Sequence, residues 1–262
     1  MTKELSVQKS IIKTYRKEIW SQFIKAIKTY QLVTEGDKIA VCLSGGKDSF
    51  LLAKCLQELQ KHGVYCFELV FLVMDPGYSA ASLNHIKALA NELAIPIQIY
   101  QNNIFAQIKN EKNACYLCAK KRRGYLYSYA QELGCNKIAL GHHFDDVVET
   151  ILLNITYNGR HQTMLPKLTS QNFAGVELIR PLYLVAEKDI QKWQQQHQLN
   201  FLACACIGIM KDNDKRTEIK NLIAQLEKTN PNLKINLFNA SKNVNLDALL
   251  GYKKNNQYHS FY

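Results

Sequence analysis

A glycine-rich loop, Ser44-Gly45-Gly46-Lys47-Asp48-Ser49, has the composition of a phosphate-binding site and follows directly on a short apolar run. Glycine lets the backbone approach a phosphate closely, and the amide groups at the start of a following helix point toward an anion. Lys47 adds a positive charge, and Ser44 and Ser49 add hydroxyl donors. The spacing is not that of a Walker A loop, which has four residues between its first glycine and its Gly-Lys pair. We therefore expect all residues of the loop to contact the pyrophosphate part of a nucleotide, with Asp48 also placed for catalysis.

A second polar segment, Gly141-His142-His143-Phe144-Asp145-Asp146, begins where another apolar run ends. Two adjacent carboxylates close to a triphosphate suit Mg²⁺. An acidic helix N-terminus would explain the aspartates alone, but it does not explain the two histidines beside them. Gly141 and His142 are thus candidate contacts to the nucleotide. Asp145 and Asp146 are candidate catalytic carboxylates, and Asp146 is the candidate magnesium ligand.

Asp75 lies in a third segment of this kind, Met74–Tyr78, again after an apolar run. In a nucleotide-binding sheet this edge flanks the adenine, so Asp75 is a candidate ATP contact. The alternative is an ordinary turn.

Four of the eight cysteines form two tight groups, Cys115/Cys118 and Cys204/Cys206. In a reducing cytosol, grouped cysteines indicate metal or redox chemistry more than a disulfide. Three alternatives follow from the residues: a structural zinc site of four thiolates, an iron–sulfur cluster, or a redox pair that carries sulfur as a persulfide.

A run of four cations, residues 120–123, follows Cys118, and the whole chain has a formal charge of +11. So basic a protein usually has an acidic partner, either nucleic acid or an anionic membrane surface. The run either contacts a phosphate-rich partner or forms a solvated helix face. No apolar stretch reaches the roughly 18 residues that span a bilayer, and the N-terminus does not resemble a secretory signal. We therefore expect a cytoplasmic protein that does not enter the membrane.

The elements that must position these groups alternate between short apolar strands and amphipathic helices. This alternation predicts an α/β fold with a parallel sheet covered by helices on both faces. Ligands bind beyond the carboxyl ends of such strands, and the segments at 44–49, 75–78 and 141–146 each follow a strand end. We expect an N-terminal helical extension over residues 1–36, an ATP-binding domain over 37–185, and a C-terminal helical region over 186–262. The finer expectations are strands at 38–43, 65–74, 95–100, 137–140 and 176–184, helices at 9–33, 48–62, 79–93, 116–133, 145–157, 187–197, 214–228 and 245–250, an irregular stretch at 158–175 and a polar tail.

These motifs together resemble the tRNA 2-thiocytidine synthetase family, a sulfur-transferring branch of the PP-loop N-type ATP pyrophosphatases. The resemblance implies an adenine nucleotide alpha hydrolase-like fold. It also implies ATP-dependent 2-thiolation of a cytidine in the anticodon loop of tRNA, with a [4Fe–4S] cluster held by three cysteines. Cys115 and Cys118 match the family pair, and either Cys204 or Cys206 would be the third ligand. Arg122 joins the catalytic candidates. The matching stretches are residues 41–49, Cys115-x-x-Cys118, Arg122-Arg123-Gly124-x-Leu126-Tyr127, Gly141-His142-His143-x-Asp145-Asp146, 164–168, 179–182 and 187–190.

Two other hypotheses stay open at this point. One is a PP-loop ligase without sulfur chemistry, which would not need the grouped cysteines. The other is a basic, zinc-stapled RNA-binding module with a degenerate nucleotide site. The intact Lys47, Asp48, Asp145 and Asp146 argue against it. Related 2-thiouridine enzymes carry zinc-binding cysteine pairs at the chain ends, whereas this sequence has no cysteine before Cys42 or after Cys206. The sulfur donor is left open, and the N-terminal helix either forms a homodimer contact or packs on its own core.

Overall fold

A computed structural model describes residues 3–63, 65–108, 114–202 and 215–262, without the side chains of residues 106, 108, 114–116 and 119. It divides into two compact units, Met1–Asp146 with Leu165–Asp212, and Val147–Met164 with Asn213–Tyr262. The three-part division expected from the sequence stays a prediction. In chain order the elements are α1 (Lys3–Ile12), α2 (Ser21–Tyr30), β1 (Lys38–Leu43), α3 (Lys47–Lys61), β2 (Glu68–Asp75), α4 (Ala80–Glu92), β3 (Ile97–Gln101), α5 (Ile104–Ile108), α6 (Ala114–Glu132), β4 (Lys137–Ala139), α7 (Phe144–Asn158), β5 (Lys167–Thr169), β6 (Glu177–Ile179), α8 (Glu187–Gln196), α9 (Lys215–Glu227), α10 (Leu233–Ala240), β7 (Gly251–Lys254) and β8 (Gln257–Ser260).

The first unit is built on a six-stranded sheet with the strand order β3-β2-β1-β4-β6-β5. β1 pairs in parallel with β2 on one side and with β4 on the other, while β5 runs antiparallel to β6 at the edge. Five of the six residues of β1 are buried, as expected for a parallel strand covered on both faces. The predicted α/β class with a parallel sheet is therefore confirmed, and the antiparallel edge strand β5 is an addition that the sequence did not predict. Because the chain moves to opposite sides of β1 to form β2 and β4, a crevice opens at the carboxyl end of β1.

The N-terminal region forms two helices where the sequence predicted one helix over 9–33. A π-helical turn at Arg16–Trp20 separates α1 from α2, and the amide of Trp20 donates to the carbonyl of Tyr15 at 3.2 Å. This wider turn keeps the apolar faces of both helices buried, since Ile11 and Phe23 have no exposed surface. These faces are therefore covered within the single chain.

The stretch after α7 holds more strand than the sequence predicted. Residues 158–175 were expected to be irregular, yet β5 lies within them. The strand expected over 176–184 ends at Ile179, because Pro181 has no amide hydrogen with which to continue the ladder. The chain instead makes a turn in which the amide of Tyr183 donates to the carbonyl of Arg180 at 3.1 Å.

The second unit contains α7 from Val147 onward, α9, α10 and a β-hairpin. Arg216 on α9 lies 3.3 Å from Glu149 on α7, and Ile219 and Ile223 on α9 are buried. The predicted helix at 245–250 is a 3₁₀ turn, and the predicted polar tail is the hairpin of β7 and β8. The expected C-terminal helical extension is therefore wrong in its last part. None of the helices in the described residues is both long and apolar enough to cross a membrane.

Candidate active site

The predicted phosphate loop joins β1 to the first turn of α3. Gly45 has φ +90°, a backbone conformation that favours glycine, and Gly46 is extended immediately before the helix. The hydroxyl of Ser49 donates to the carbonyl of Gly46 at 2.8 Å and accepts from the amide of Ser44 at 3.2 Å. The serine hydroxyls thus hold the shape of the loop. Its anion-binding capacity comes from Lys47 and from the first-turn amides of α3, which have no partner within the helix.

Gly141 brings the second predicted segment directly against this loop. A Cβ atom added at Gly141 would lie 3.0 Å from both the carbonyl carbon of Asp48 and the amide nitrogen of Ser49. Real Cβ contacts are rarely that close, so only glycine fits here without a shift of the loop. The two segments, almost a hundred residues apart in the sequence, therefore share the crevice beyond β1, as the sequence predicted.

Lys47 is held by two carboxylates. Its ammonium nitrogen lies 3.2 Å from Asp48 Oδ1 and 3.2 Å from Glu187 Oε1 at the start of α8. Burial raises the pKa of Asp48, and the charges of His143 and Lys47 act in the opposite direction without cancelling the effect. Asp48 is therefore a desolvated carboxylate that a cationic neighbour only partly compensates, which suits a group that meets a metal ion or a polar substrate.

His143 lies between two of the predicted carboxylates. Its Nε2 is 3.9 Å from Asp48 Oδ1, and its Nδ1 is 3.5 Å from Asp146 Oδ2. The backbone amide of His143 donates to Asp146 Oδ2 at 3.0 Å, which caps the start of α7 in the manner of a capping box. Asp48 and Asp146 are thereby fixed on either side of a buried imidazole.

Asp145 reaches a different element. Its Oδ2 accepts the backbone amide of Glu187 at 2.7 Å, so it anchors the start of α8 beside the loop. Glu187 then pairs with Lys47, as described above. The sequence predicted direct roles for His142 and Asp145. In the structure, the side chains that pair with the charged residues of the phosphate loop are those of His143 and Glu187.

The end of β2 forms the other wall of the crevice. Asp75 is buried, and its Oδ1 accepts the amides of Gly77 at 2.9 Å and Tyr78 at 2.6 Å. Asp75 therefore shapes a turn, the alternative that the sequence left open. Arg122 on α6 donates to the hydroxyl of Tyr78 at 3.2 Å, so this predicted catalytic residue lies at the same edge.

The described part of the cysteine motif also lies at this edge. Cys118 is buried on α6 against Met74, the penultimate residue of β2, and Ile104. Cys115 belongs to the same helix, and its spacing brings the two Cα positions to one helix face. The side chain of Cys115 and the residues Cys204 and Cys206 lie outside the described part of the chain. The chain leading toward that last pair does reach the phosphate loop, because the amide of Leu202 donates to the carbonyl of Gly45 at 3.1 Å.

Comparison with known proteins agrees with this geometry. The PP-loop domain family matches residues 16–205. A tRNA-cytidine(32) 2-sulfurtransferase of Coxiella burnetii is 37% identical over 236 residues, which cover 87% of this chain and 90% of that protein. One from Paracidovorax citrulli is 39% identical over 227 residues, covering 84% and 72%. This chain belongs to the tRNA 2-thiocytidine synthetase branch of the PP-loop family. The resemblance inferred from the motifs is therefore confirmed.

A solved structure supports the fold. The U34-tRNA thiolase NcsA from Methanococcus maripaludis, solved with its [4Fe–4S] cluster, superposes with a TM-score of 0.67 at 22% identity. The match covers 85% of this chain and 76% of that one. At this identity the likeness concerns the arrangement of the sheet and helices of the PP-loop fold.

Proposed function

We propose that this protein is an ATP-dependent tRNA sulfurtransferase that adenylates and then 2-thiolates a cytidine, which is cytidine 32 in the names of its relatives. The observation that carries the proposal is the meeting of three groups at one edge of the sheet: the phosphate loop, the carboxylates around His143, and the helix of Cys118. The relatives named for this reaction support tRNA cytidine as the substrate.

ATP would bind with its β- and γ-phosphates at the first turn of α3. The helix amides and Lys47 neutralise the pyrophosphate, which is the leaving group. The carbonyl oxygen of the cytosine attacks the α-phosphorus, so an oxygen–phosphorus bond forms as the bond to pyrophosphate breaks. A hydrosulfide then attacks carbon 2, the bond from this carbon to the activated oxygen breaks, AMP leaves with that oxygen, and release of the sulfur-bound proton gives the thiocarbonyl. Arg122, beside Tyr78, is the residue that we propose to meet the base.

Magnesium would be held by Asp48 and Asp146 together with phosphate oxygens. Mg²⁺ commonly takes one or two carboxylates from the protein and completes its octahedron with substrate phosphates and water. The described residues offer no group of three histidine, cysteine or carboxylate side chains able to hold a metal. Two carboxylates, Asp48 and Asp146, fit an ion that arrives already bound to the phosphates of ATP.

A [4Fe–4S] cluster would be held by Cys115, Cys118 and one of Cys204 or Cys206. A cluster held by three thiolates would supply a site that binds the sulfur to be transferred to the activated base. The buried position of Cys118 beside the end of β2 fits this group, because a cluster there would adjoin the nucleotide crevice. Leu202, which contacts the phosphate loop two residues before Cys204, fits as well.

The metal is tested on protein purified without oxygen. We expect iron and acid-labile sulfide in the wild type and their loss in Cys118→Ser. Cys42→Ser is the matched control, because Cys42 is equally buried, at 8% exposure, but packs in a different apolar cluster. Stoichiometric zinc without iron would show that the cysteines form a structural zinc site and not a cluster. A Cys118→Ser protein that keeps its iron would show that Cys118 is not a ligand.

The reaction is tested by mass spectrometry of tRNA nucleosides from cells that lack this protein. We expect 2-thiocytidine to disappear and to return with the wild-type gene but not with Lys47→Ala. A gene carrying Lys192→Ala is the control, since this lysine is 63% exposed on α8. An unchanged 2-thiocytidine level in the deletion strain overturns the proposal. ATP consumption with no change in any thionucleoside would instead favour a PP-loop ligase.

A further inference from the structure

The helix that carries Cys118 presents a second face to a groove that the proposed chemistry does not use. Lys120, Arg123, Gly124 and Tyr127 recur at helical spacing on α6 and line one wall of this groove. Arg122, by contrast, faces Tyr78, and Lys121 bonds to Gln107 at 2.6 Å. The basic run therefore divides, and two of its four cations face the groove.

The opposite wall is the loop that joins β5 to β6. The loop contributes the polar residues Ser170, Gln171 and Asn172, and Phe173, and the end of β5 before it contributes Leu168 and Thr169. The hydroxyl of Ser170 accepts the amide of Phe173 at 3.1 Å, so the loop has a fixed shape. The groove has a volume of about 630 Å³, within the usual range for ligand sites. Among the described residues that line it there are two cations and no carboxylate.

The two walls of the groove meet through aromatic side chains at its base. Tyr127 is buried at 6% exposure and stacks on Phe173 with ring centroids 5.2 Å apart. Burial raises the pKa of Tyr127, whereas the positive charges of Arg123 and Arg180 act in the opposite direction. The positive charges of two arginines thus favour the ionised form of the Tyr127 hydroxyl at the base of the groove.

Gly124 is the residue that most directly indicates an occupant. A glycine within a helix costs about 1 kcal/mol relative to alanine. Nothing in the described structure requires one here, because its φ is not positive and a Cβ would meet no atom within 4 Å. A side chain at this position would instead enter the open space of the groove. The missing side chain keeps room for something that the groove binds.

The groove also adjoins the active site. Arg180 interacts electrostatically with Tyr127 and Arg123 on one side and with Asp146 on the other, and burial lowers its pKa to about 10. Its Nη1 donates to the carbonyl of Leu165, while its buried Nε has no partner in the described structure. One arginine therefore interacts both with residues of the groove and with the carboxylate of Asp146 in the crevice.

We propose that this groove binds a single-stranded segment of the tRNA next to the base under modification. A backbone phosphate would be bound by Lys120 and Arg123, and a base or ribose would meet the hydroxyl and amide side chains of the β5–β6 loop. Two cations opposite neutral hydrogen-bonding groups fit an alternation of phosphates and base edges, and single-stranded RNA exposes both. This inference rests on the proposed function, because it takes tRNA as the substrate.

The test fills the groove without disturbing the fold. In Gly124→Leu the side chain has space on a helix that favours it, so the protein should fold and bind ATP like the wild type. We expect its dissociation constant for a tRNA transcript to rise about tenfold or more, the effect of losing one base or phosphate contact. Gly124→Ala, which adds a single methyl group, is the control and should bind tRNA nearly as the wild type does.

The charges are tested separately. Removal of both groove cations in Lys120→Ala/Arg123→Ala should lower the slope of log affinity against log salt by roughly 1 for the one phosphate that they bind. Lys192→Ala should leave the slope unchanged. A single-stranded RNA oligonucleotide should compete with tRNA in the wild type and lose this ability in Gly124→Leu, whereas an RNA duplex should compete poorly.

Wild-type tRNA affinity and salt slope in both groove variants would overturn the inference. So would a duplex that competes as well as the single strand, or variants that lose binding of inorganic phosphate or an acidic peptide while keeping that of tRNA. These outcomes do not depend on sulfur transfer. A wild-type protein that binds tRNA in the groove but does not thiolate it would leave this inference standing and remove the proposed reaction.

Discussion

Before ATP binds, Lys47 is already paired with Asp48 and Glu187. The pyrophosphate of ATP must therefore take the place of these carboxylates as the partner of the ammonium group. Removing the ammonium group has two costs: the phosphate loses a charge-assisted contact, and two carboxylates beside it lose their counter-charge. We expect Lys47→Ala to weaken ATP binding by at least the 1.5–3 kcal/mol of one such contact, roughly 10- to 150-fold. Calorimetric titration with ATP measures this, and an affinity equal to that of the wild type would exclude the loop as the phosphate site.

Asp48 carries a conflict between stability and activity. Burial raises its pKa, so the folded protein disfavours the ionised carboxylate. At any pH above the raised pKa, the ionised form therefore lowers the free energy of unfolding. Asp48→Asn should therefore raise the melting temperature at neutral pH while it removes turnover. The gain should shrink as the pH falls toward the unfolded pKa near 3.8, because the wild-type carboxyl is then protonated in both states. A variant that melts below the wild type at pH 7 would show that its contacts to Lys47 and His143 outweigh the burial.

His143 and Glu187 show the limit of prediction from single residues. The two histidines were visible in the sequence, but which of them would lie between Asp48 and Asp146 depends on the direction of one helix start. Glu187 stands 140 residues from Lys47, and no local pattern reports a pair so distant. Residue types within a motif could be assigned from spacing, whereas partners brought from another element could not.

Among the elements, the junction of β4 with the phosphate loop is the tightest contact of the site. Gly141→Ala would place a methyl group 3.0 Å from the backbone of Asp48 and Ser49, so the loop must shift. We expect ATP affinity to fall about tenfold while the sheet stays folded, since the loop must give way by a few tenths of an ångström and its phosphate donors then lose roughly the equivalent of one hydrogen bond. Gly124→Ala is the matched control, because the same methyl group meets open space there. Equal ATP affinities in the two variants would contradict this account.

The strands differed in how well they could be predicted from the sequence. β1 and β2 were predictable, because buried parallel strands are continuous apolar runs followed by glycine or turn residues. β5 has only three residues, two of them exposed, so it lacks an apolar pattern. The hairpin of β7 and β8 turns at Asn255 and Asn256, both with positive φ, and without the Asn-Gly or Asp-Gly pair that usually marks such a turn.

For the whole molecule, stability and function are anchored at opposite ends of the central strands. Asp37 precedes β1 and Lys137 opens β4, which places both at the amino ends, away from the phosphate loop. Their charged atoms are 2.7 Å apart and both residues are buried. Burial by itself would raise the pKa of Asp37, but hydrogen bonds from Lys137, Thr34 and Asn136 overcome this and lower it. The contribution of this carboxylate to stability is therefore complete above its ordinary pKa and is lost as the pH falls through the depressed one.

This pair should be indispensable to the fold and irrelevant to the nucleotide. Lys137→Met leaves a buried carboxylate without its partner, which typically costs about 3–5 kcal/mol, a large part of the stability of a folded domain. Adding Asp37→Asn should recover much of that loss, since the remaining amide needs no counter-charge. Denaturant unfolding measures both effects, and ATP titration of the double variant should give the wild-type affinity. If the single variant unfolds at the same denaturant concentration as the wild type, the pair is not a determinant of stability. If the refolded double variant binds ATP poorly, the two ends of the sheet are coupled.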